Sequence, residues 1–191
     1  MRKTLSRRRA SLALCSCVGL SGCLSRFVGP SLDQLRFDAE VIEQASEYHP
    51  TRIRARLQND GRGPVKFVTE RAIVPRLESG FDFGPIVLFP DTPVAKNEEP
   101  EGPTNGCWRY TDSMLQENYE AKVRELHADE AYEETYSLYT VGEETECLPA
   151  GAYRFTDKLV KRNEESSRKI VVEVTIANDG AVTASGRILD E

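Results

Sequence analysis

The strongest constraint on the fold of this chain is an alternation of apolar and polar residues that begins near residue 34. A period of two puts every second side chain on one face of a β-strand, so that a single face of each strand is buried. The clearest apolar runs are Leu35, Phe37, Ala39 and Val41; Ile53, Ala55 and Leu57; and Ile170, Val172, Val174 and Ile176. These runs predict a mainly β fold.

Five further segments have strand character and are separated by turns rich in Gly, Pro and Asn. They are 64–68 (PVKFV), 85–90 (PIVLFP), 132–140 (YEETYSLYT), 152–160 (AYRFTDKLV) and 181–189 (AVTASGRIL). Strands and helices do not alternate regularly, which argues against a parallel sheet. We therefore predict an antiparallel β-sandwich of about 7–8 strands over residues 34–191.

One acidic segment, residues 111–131, departs from this pattern. Leu115, Tyr119, Val123 and Leu126 are spaced by four, four and three residues, which is helical spacing. We expect either a short helix or an irregular excursion on the edge of the sandwich.

Two turns share the tripeptide Asn-Asp-Gly, at 59–61 and 178–180. These residues tolerate the left-handed conformation of tight hairpins, so both turns are predicted to be hairpins. A calcium loop of the EF-hand type would need further acids out to a glutamate at its twelfth position, and neither turn has them. Residues 91–106 are predicted to form an exposed polar loop.

The first 22 residues have the parts of an export signal: a basic start, an apolar run of about eleven residues, and small residues. A helix of that length rises about 16 Å, which is too short to span a membrane. The stretch SRRRASL resembles a twin-arginine export motif, with Arg7 and Arg8 as its paired arginines, although Ala10 replaces the usual bulky residue.

The tetrapeptide LSGC, which ends at Cys23, resembles the lipobox of prokaryotic lipoproteins. The resemblance implies cleavage before Cys23, a lipid attached to its thiol, and a tether over 23–33 that holds the domain at the outer side of the cell membrane. The alternative is an ordinary secretory cleavage site followed by a chance cysteine.

Cysteine usage points to one disulfide. Cys15 and Cys17 would leave with the signal peptide and Cys23 would carry lipid, so Cys107 and Cys147 remain as an even pair in an exported chain. We predict a bridge between them; two buried free thiols are the alternative.

Removal of residues 1–22 would leave 31 acidic against 20 basic residues, a net charge of −11, with 14 arginines and only six lysines. An acidic surface with more arginine than lysine is typical of proteins from very saline environments. An ordinary acidic protein, which also has a negative net charge, is the alternative. Such a surface repels phosphate backbones, so nucleic acid is not expected as a partner.

Three segments, RARLQNDGRGPVKF, CLPAGAYRF and VEVTIANDG, resemble immunoglobulin-like domains of archaeal lipoproteins. The resemblance covers most of residues 33–191 and rests on generic motifs. It implies an immunoglobulin-like sandwich and an extracytoplasmic location, and no particular activity. The Cys…Trp…Cys spacing of antibody domains is not reproduced, because Trp108 directly follows Cys107.

No recognisable catalytic motif accompanies the two histidines, His49 and His127, and a Cys107–His127 pair would be consumed by the predicted bridge. The eleven acids of residues 112–146 are expected to form a solvated face, not a metal site. Most aromatic residues are expected in the core, not in a ligand groove; these are Trp108, Tyr110, Tyr132, Tyr136, Tyr139 and Tyr153. We predict neither an enzyme nor a cofactor site.

These observations predict a lipid-anchored, non-catalytic accessory or binding module whose partner is an unknown protein or small molecule. Three alternatives stay open: the substrate-capturing component of a transport system, a protease inhibitor acting through loop 91–106, and a hydrolase whose site residues are dispersed along the sequence.

Overall fold

The computed structural model describes residues 31–69, 76–77, 84–91, 102–110, 122–142, 145–161 and 167–190. The predicted signal peptide, with Arg7 and Arg8, and the lipidation site Cys23 lie outside these residues. The predicted tether overlaps them only at 31–33, where Leu32 is buried in a short 3-10 turn, Leu32–Gln34.

The described residues contain eleven strands and no α-helix. In chain order the strands are β1 (Leu35–Glu43), β2 (Thr51–Asn59), β3 (Val65–Thr69), β4 (Arg76–Leu77), β5 (Ile86–Pro90), β6 (Arg109–Tyr110), β7 (Lys122–Leu126), β8 (Ala131–Val141), β9 (Gly151–Lys161), β10 (Ser167–Ile176) and β11 (Val182–Asp190). All eight strands predicted from alternation or composition are present. The three that sequence analysis did not predict are β4, β6 and β7.

The strands form two sheets. The first sheet has the order β1-β2-β8-β5, with β6 paired to the end of β8, and the second has the order β11-β10-β9-β3-β7, with β4 paired to β9. Every pairing is antiparallel except the two-residue pairing of β6 with β8. The predicted mainly β, antiparallel architecture is therefore confirmed.

The alternating apolar residues of the two sheets meet in one hydrophobic core, which we call the main core. From the first sheet it takes the inward side chains of β1, β2, β5 and β8, and from the second those of β3, β9 and β10 with Leu126 of β7 and Val182 of β11. The alternating side chains of β10 illustrate the match with the sequence: Ile170, Val172, Val174 and Ile176 are all buried. The sheets therefore pack face to face.

Gly186 of β11 marks a very close approach between the edge strands of the two sheets. A methyl group on its Cα would lie 2.6 Å from the carbonyl carbon of Asp38 and 2.7 Å from the nitrogen of Ala39, both in the backbone of β1. Only glycine allows two backbones to come this close. Nearby, the side-chain amide of Gln44 donates to the carbonyl of Val182 and accepts from its N–H, at 2.8 and 3.2 Å. The two sheets are therefore joined along one edge.

Replacing Gly186 with alanine should push β1 and β11 apart, because rigid backbone cannot yield as a flexible side chain would. We expect the free energy of unfolding to fall by about 1–3 kcal/mol, as in other overpacked sites, measured by chemical denaturation. Gly63→Ala is the matched control, since nothing lies within 4 Å of a methyl group there. Equal effects of the two substitutions would contradict the close approach.

The two Asn-Asp-Gly turns have different structures. Residues 177–181 form the predicted hairpin between β10 and β11, with Gly180 at φ 82°. The prediction for the first copy was wrong, because β2 and β3 belong to different sheets and residues 60–64 cross between them. Asn59 is buried there, and its side-chain nitrogen lies 2.8, 3.0 and 3.1 Å from the carbonyls of Gly63, Leu126 and His127. Its amide therefore joins this crossing to the turn between β7 and β8.

Asn59→Ala should leave these carbonyls without their donor and lower the free energy of unfolding by about 2–3 kcal/mol. Asn178→Ala, in the same tripeptide but exposed, should change it by less than about 0.5 kcal/mol. Denaturant titrations of both variants measure the difference, and a cost at residue 178 equal to that at residue 59 would disprove the joining role.

The helical interpretation of residues 111–131 was wrong where the structure describes it; residues 111–121 lie outside the described part. Lys122–Leu126 is strand β7, paired with β3. Residues three apart on a strand point to opposite faces, and accordingly Leu126 is buried while Val123 is half exposed. Pairing with β3 therefore outweighs the local helical spacing.

Candidate binding surface

The described loops at one end of the domain lie together, and we call this end the disulfide end. It comprises residues 44–50 between β1 and β2, 102–108 before β6, 145–150 before β9, and 177–181 between β10 and β11. Strand register brings the loops near β1, β2 and β8 together. Glu43 at the end of β1 pairs with Arg52 at the start of β2, and β8 pairs with that same part of β2 before ending at Val141. The opposite end, where Ser31 enters, is the N-terminal end.

The predicted bridge between Cys107 and Cys147 is present at the disulfide end, with a Cα–Cα distance of 5.6 Å. Cys107 is buried and Cys147 is exposed. The Cys107 sulfur lies 3.4 Å from the hydroxyl oxygen of Thr140, which also accepts a hydrogen bond of 2.9 Å from the N–H of Leu148. The bridge and Thr140 thus hold residues 102–108 and 145–150 against the end of β8.

Removing the bridge should weaken the whole domain. The double substitution Cys107→Ala and Cys147→Ala frees a 40-residue interval of the unfolded chain, so we expect the free energy of unfolding to fall by roughly 3–4 kcal/mol. Denaturation of the oxidised and reduced wild type provides the control, since reduction alone should cause a similar loss. Equal stability of all three forms would mean that the bridge stabilises little.

Trp108 connects the disulfide to the loop between β1 and β2. It follows Cys107 directly, and its indole N–H donates a hydrogen bond of 2.8 Å to the carbonyl of Ser46. Its own carbonyl accepts from the N–H of Thr140 at 3.0 Å. The indole therefore stabilises the loop of residues 44–50, and the adjacent Cys107–Cys147 disulfide restrains the backbone of Trp108.

The loop of residues 44–50 is itself hydrogen-bonded into a defined shape. The Ser46 hydroxyl accepts from the N–H groups of Tyr48 and His49, at 3.1 and 3.3 Å, and the N–H of Ser46 donates to the carbonyl of His49 at 2.9 Å. The N–H of Ala45 donates to the hydroxyl of Thr51. The turn therefore presents its outermost side chain in one backbone conformation.

That outermost side chain is Tyr48, which is 81% exposed, the most exposed large hydrophobic residue in the described part of the chain. A hydrogen bond to the Glu47 carboxylate raises the pKa of its hydroxyl.

A second apolar cluster lies on the outer face of the first sheet, at the same end. Phe89 and Tyr139 are buried there with Tyr110, whose ring centroid lies 5.1 Å from that of Phe89. Trp108 and Val87 pack against them. The expectation that the aromatic residues serve as core is confirmed: Tyr136 belongs to the main core, and Tyr132 and Tyr153 pack against it.

The rest of the outer face of the first sheet is charged. Three arginines of β2 point outward, and each meets a carboxylate of a neighbouring strand or loop: Arg52 with Glu43 and Asp91, Arg54 with Glu40, and Arg56 with Glu133. A shallow groove of about 210 Å³ runs over β1 and β2 among these side chains. Mutual pairing leaves this face balanced in charge, so it offers no strong attraction to an ionic ligand.

The candidate chemical residues do not come together. His49 lies at the disulfide end, where its Nδ1 is 2.9 Å from the carbonyl of Pro50, whereas His127 is exposed in the β7–β8 turn at the N-terminal end. Cys107 is bridged and lies at the end opposite His127, so the two cannot act as a pair. Within the described residues, no group of three or more His, Cys, Asp or Glu side chains is placed to hold a metal ion.

Sequence reasoning missed Tyr48 and its support. The turn Ser-Glu-Tyr-His-Pro was a visible loop signal, yet the support of that turn includes a hydrogen bond from Trp108 to Ser46, two residues that are 62 positions apart in sequence. Loop 91–106, the inhibitor alternative, is described only at Asp91 and 102–106, where Thr104 and Cys107 close a tight turn.

Comparisons with known proteins add no assignment. No family model matches the chain, and no significant match was found among curated proteins or among solved structures. In the described ranges, none of the helical segments has the length and apolar character required to cross a membrane.

Proposed function

We propose that this protein is an exported lipoprotein, anchored at the outer side of the cell membrane through Cys23, that acts as a non-catalytic accessory or binding module. The observation that carries the proposal is the Cys107–Cys147 bridge. Disulfides form and persist in oxidising compartments and are rare in the cytosol, so the bridge supports export. The proposed source is a prokaryote of saline habitats, which the acidic, arginine-rich composition favours.

The anchor is supported by the order of residues at the N-terminus. A basic start with Arg7 and Arg8, an apolar run and LSGC are the successive parts of a lipoprotein signal. Ser31, the first described residue, comes eight positions after Cys23, and Leu32 packs into the main core. A lipid on Cys23 would therefore hold the N-terminal end of the domain towards the membrane.

We further propose that the domain is immunoglobulin-like, and its strand order supports this. Constant-type immunoglobulin domains have strands A, B, E and D in one sheet and C, F and G in the other. When β1, β2, β3, β5, β8, β9 and β10 are taken as A to G, the orders β1-β2-β8-β5 and β10-β9-β3 correspond to A-B-E-D and G-F-C. The other described strands, β4, β6, β7 and β11, are additions to this pattern.

Tyr153 gives independent support. In many such domains a tyrosine near the start of strand F lies two positions before a buried cysteine. Its hydroxyl donates a hydrogen bond to the backbone a few residues earlier in the chain. Tyr153 lies near the start of β9 and donates to the carbonyl of Pro149 at 2.7 Å. Phe155, two residues later, is buried in the main core where antibody domains have that cysteine. Here the disulfide lies at the end of the domain instead.

Cys23→Ser tests the anchor in intact cells. Because serine has no thiol to take the lipid, we expect the variant to be released from the membrane or to remain as an unprocessed precursor, whereas wild type fractionates with the membrane. Cys17→Ser is the matched control, since it removes a thiol from the same predicted signal without touching the anchor or the Cys107–Cys147 bridge. Membrane retention and normal processing of Cys23→Ser would disprove lipidation.

A further inference from the structure

The two ends of the domain differ in their access to partners if Cys23 carries the lipid, and this inference rests on that proposed function. The eight residues from Cys23 to Ser31 can extend about 28 Å at most, so the N-terminal end stays near the membrane. The nine residues of β1 span about 30 Å more. The disulfide end is therefore the end that can reach farther from the membrane.

The loops that correspond to antibody recognition loops lie at the N-terminal end of this domain, towards the proposed membrane anchor. Antibody variable domains bind antigen through loops that include B–C and F–G. With the strand assignment above, the B–C loop is residues 60–64, which lie at the N-terminal end with Ser31. A lipid tether would hold this end towards the membrane, so another surface is better placed for recognition.

The disulfide end has a rigid, exposed aromatic anchor. Tyr48 lies on a turn that the hydroxyl of Ser46 stabilises by accepting a hydrogen bond from the N–H of Tyr48. The indole of Trp108, next to the disulfide, donates to the carbonyl of Ser46 in the same turn. Tyrosines of this kind are common hot spots of protein interfaces, because a large ring contributes contact area while a pre-ordered loop loses little conformational entropy on binding.

The charge of the same loops limits the kind of partner. The described loops of the disulfide end contain the carboxylates of Glu47, Glu146 and Asp179 and no lysine or arginine. Complementary charge guides association and excludes partners of like charge. An anionic polymer would be repelled, whereas lysine and arginine side chains would be attracted.

We propose that the disulfide end is a docking surface for another exported protein, and that Tyr48 inserts into an apolar pocket rimmed by lysine or arginine side chains of that partner. The carboxylates of Glu47, Glu146 and Asp179, in the loops of the same end, face those basic residues. The outer face of the first sheet takes no part, because its arginines are already paired with carboxylates.

Site-specific photo-crosslinking in intact source cells tests this surface. The full-length chain carries benzoylphenylalanine in place of Tyr48, or, as a control, in place of exposed Ala128 at the N-terminal end. We expect a discrete protein adduct at least tenfold stronger from position 48, with a crosslinked partner peptide rich in lysine and arginine. In the position-48 chain, Glu47→Lys with Glu146→Lys should lower the adduct at least tenfold, whereas Asp60→Lys should not.

The other outcomes overturn the inference. These are equal adducts from both positions, an adduct that survives the charge reversals, crosslinks to glycan or lipid in place of protein, and no adduct at all. Fractionation of the same cells reports on the anchor separately. If the chain is released while the position-48 adduct persists, only the proposed anchoring fails; if the chain stays in the membrane without the adduct, only the docking surface fails.

Discussion

The rest of the structure depends on the close contact between β1 and β11, where two sheets that share no backbone ladder come within touching distance at Gly186. Hydrophobic burial pulls the faces of the sheets together but does not select their lateral position. The glycine permits backbone contact at one point. At the end of β1, the side-chain amide of Gln44 forms hydrogen bonds with the backbone of Val182 like those between paired strands. Together they seal one edge of the main core and place the first and last described strands side by side.

A second consequence is the organisation of the disulfide end. Because β1 and β11 are joined there, the loop after β1 lies beside the β10–β11 hairpin, and Trp108 can reach the carbonyl of Ser46. The bridge between Cys107 and Cys147 then holds residues that would otherwise be free connections. The disulfide fixes the segment that carries Trp108, and the indole of Trp108 is hydrogen-bonded to the turn that contains Ser46. That turn also carries the exposed Tyr48.

Predictions from sequence succeeded where one physical effect dominated. All eight strands marked by alternation or by apolar runs between turns were present, because one-sided burial of a strand leaves a period of two. The cysteine pair was found by elimination. Errors occurred where distant contacts compete with local preference: the helical spacing of Val123 and Leu126 gave way to pairing with β3. The two Asn-Asp-Gly copies could not be told apart from sequence, because only the position of β2 and β3 in different sheets makes Asn59 a buried link.

The sequence by itself determined the class of fold and the pairing of Cys107 with Cys147, and it supplies the argument for lipidation, since these depend on residue type, order and local periodicity. Only the tertiary structure decided which strands are neighbours, why residue 186 must be glycine, and that Tyr48, Trp108 and the bridge lie at the same end, opposite His127. Those features depend on contacts between residues many positions apart, and periodicity does not encode the order of strands in a sheet.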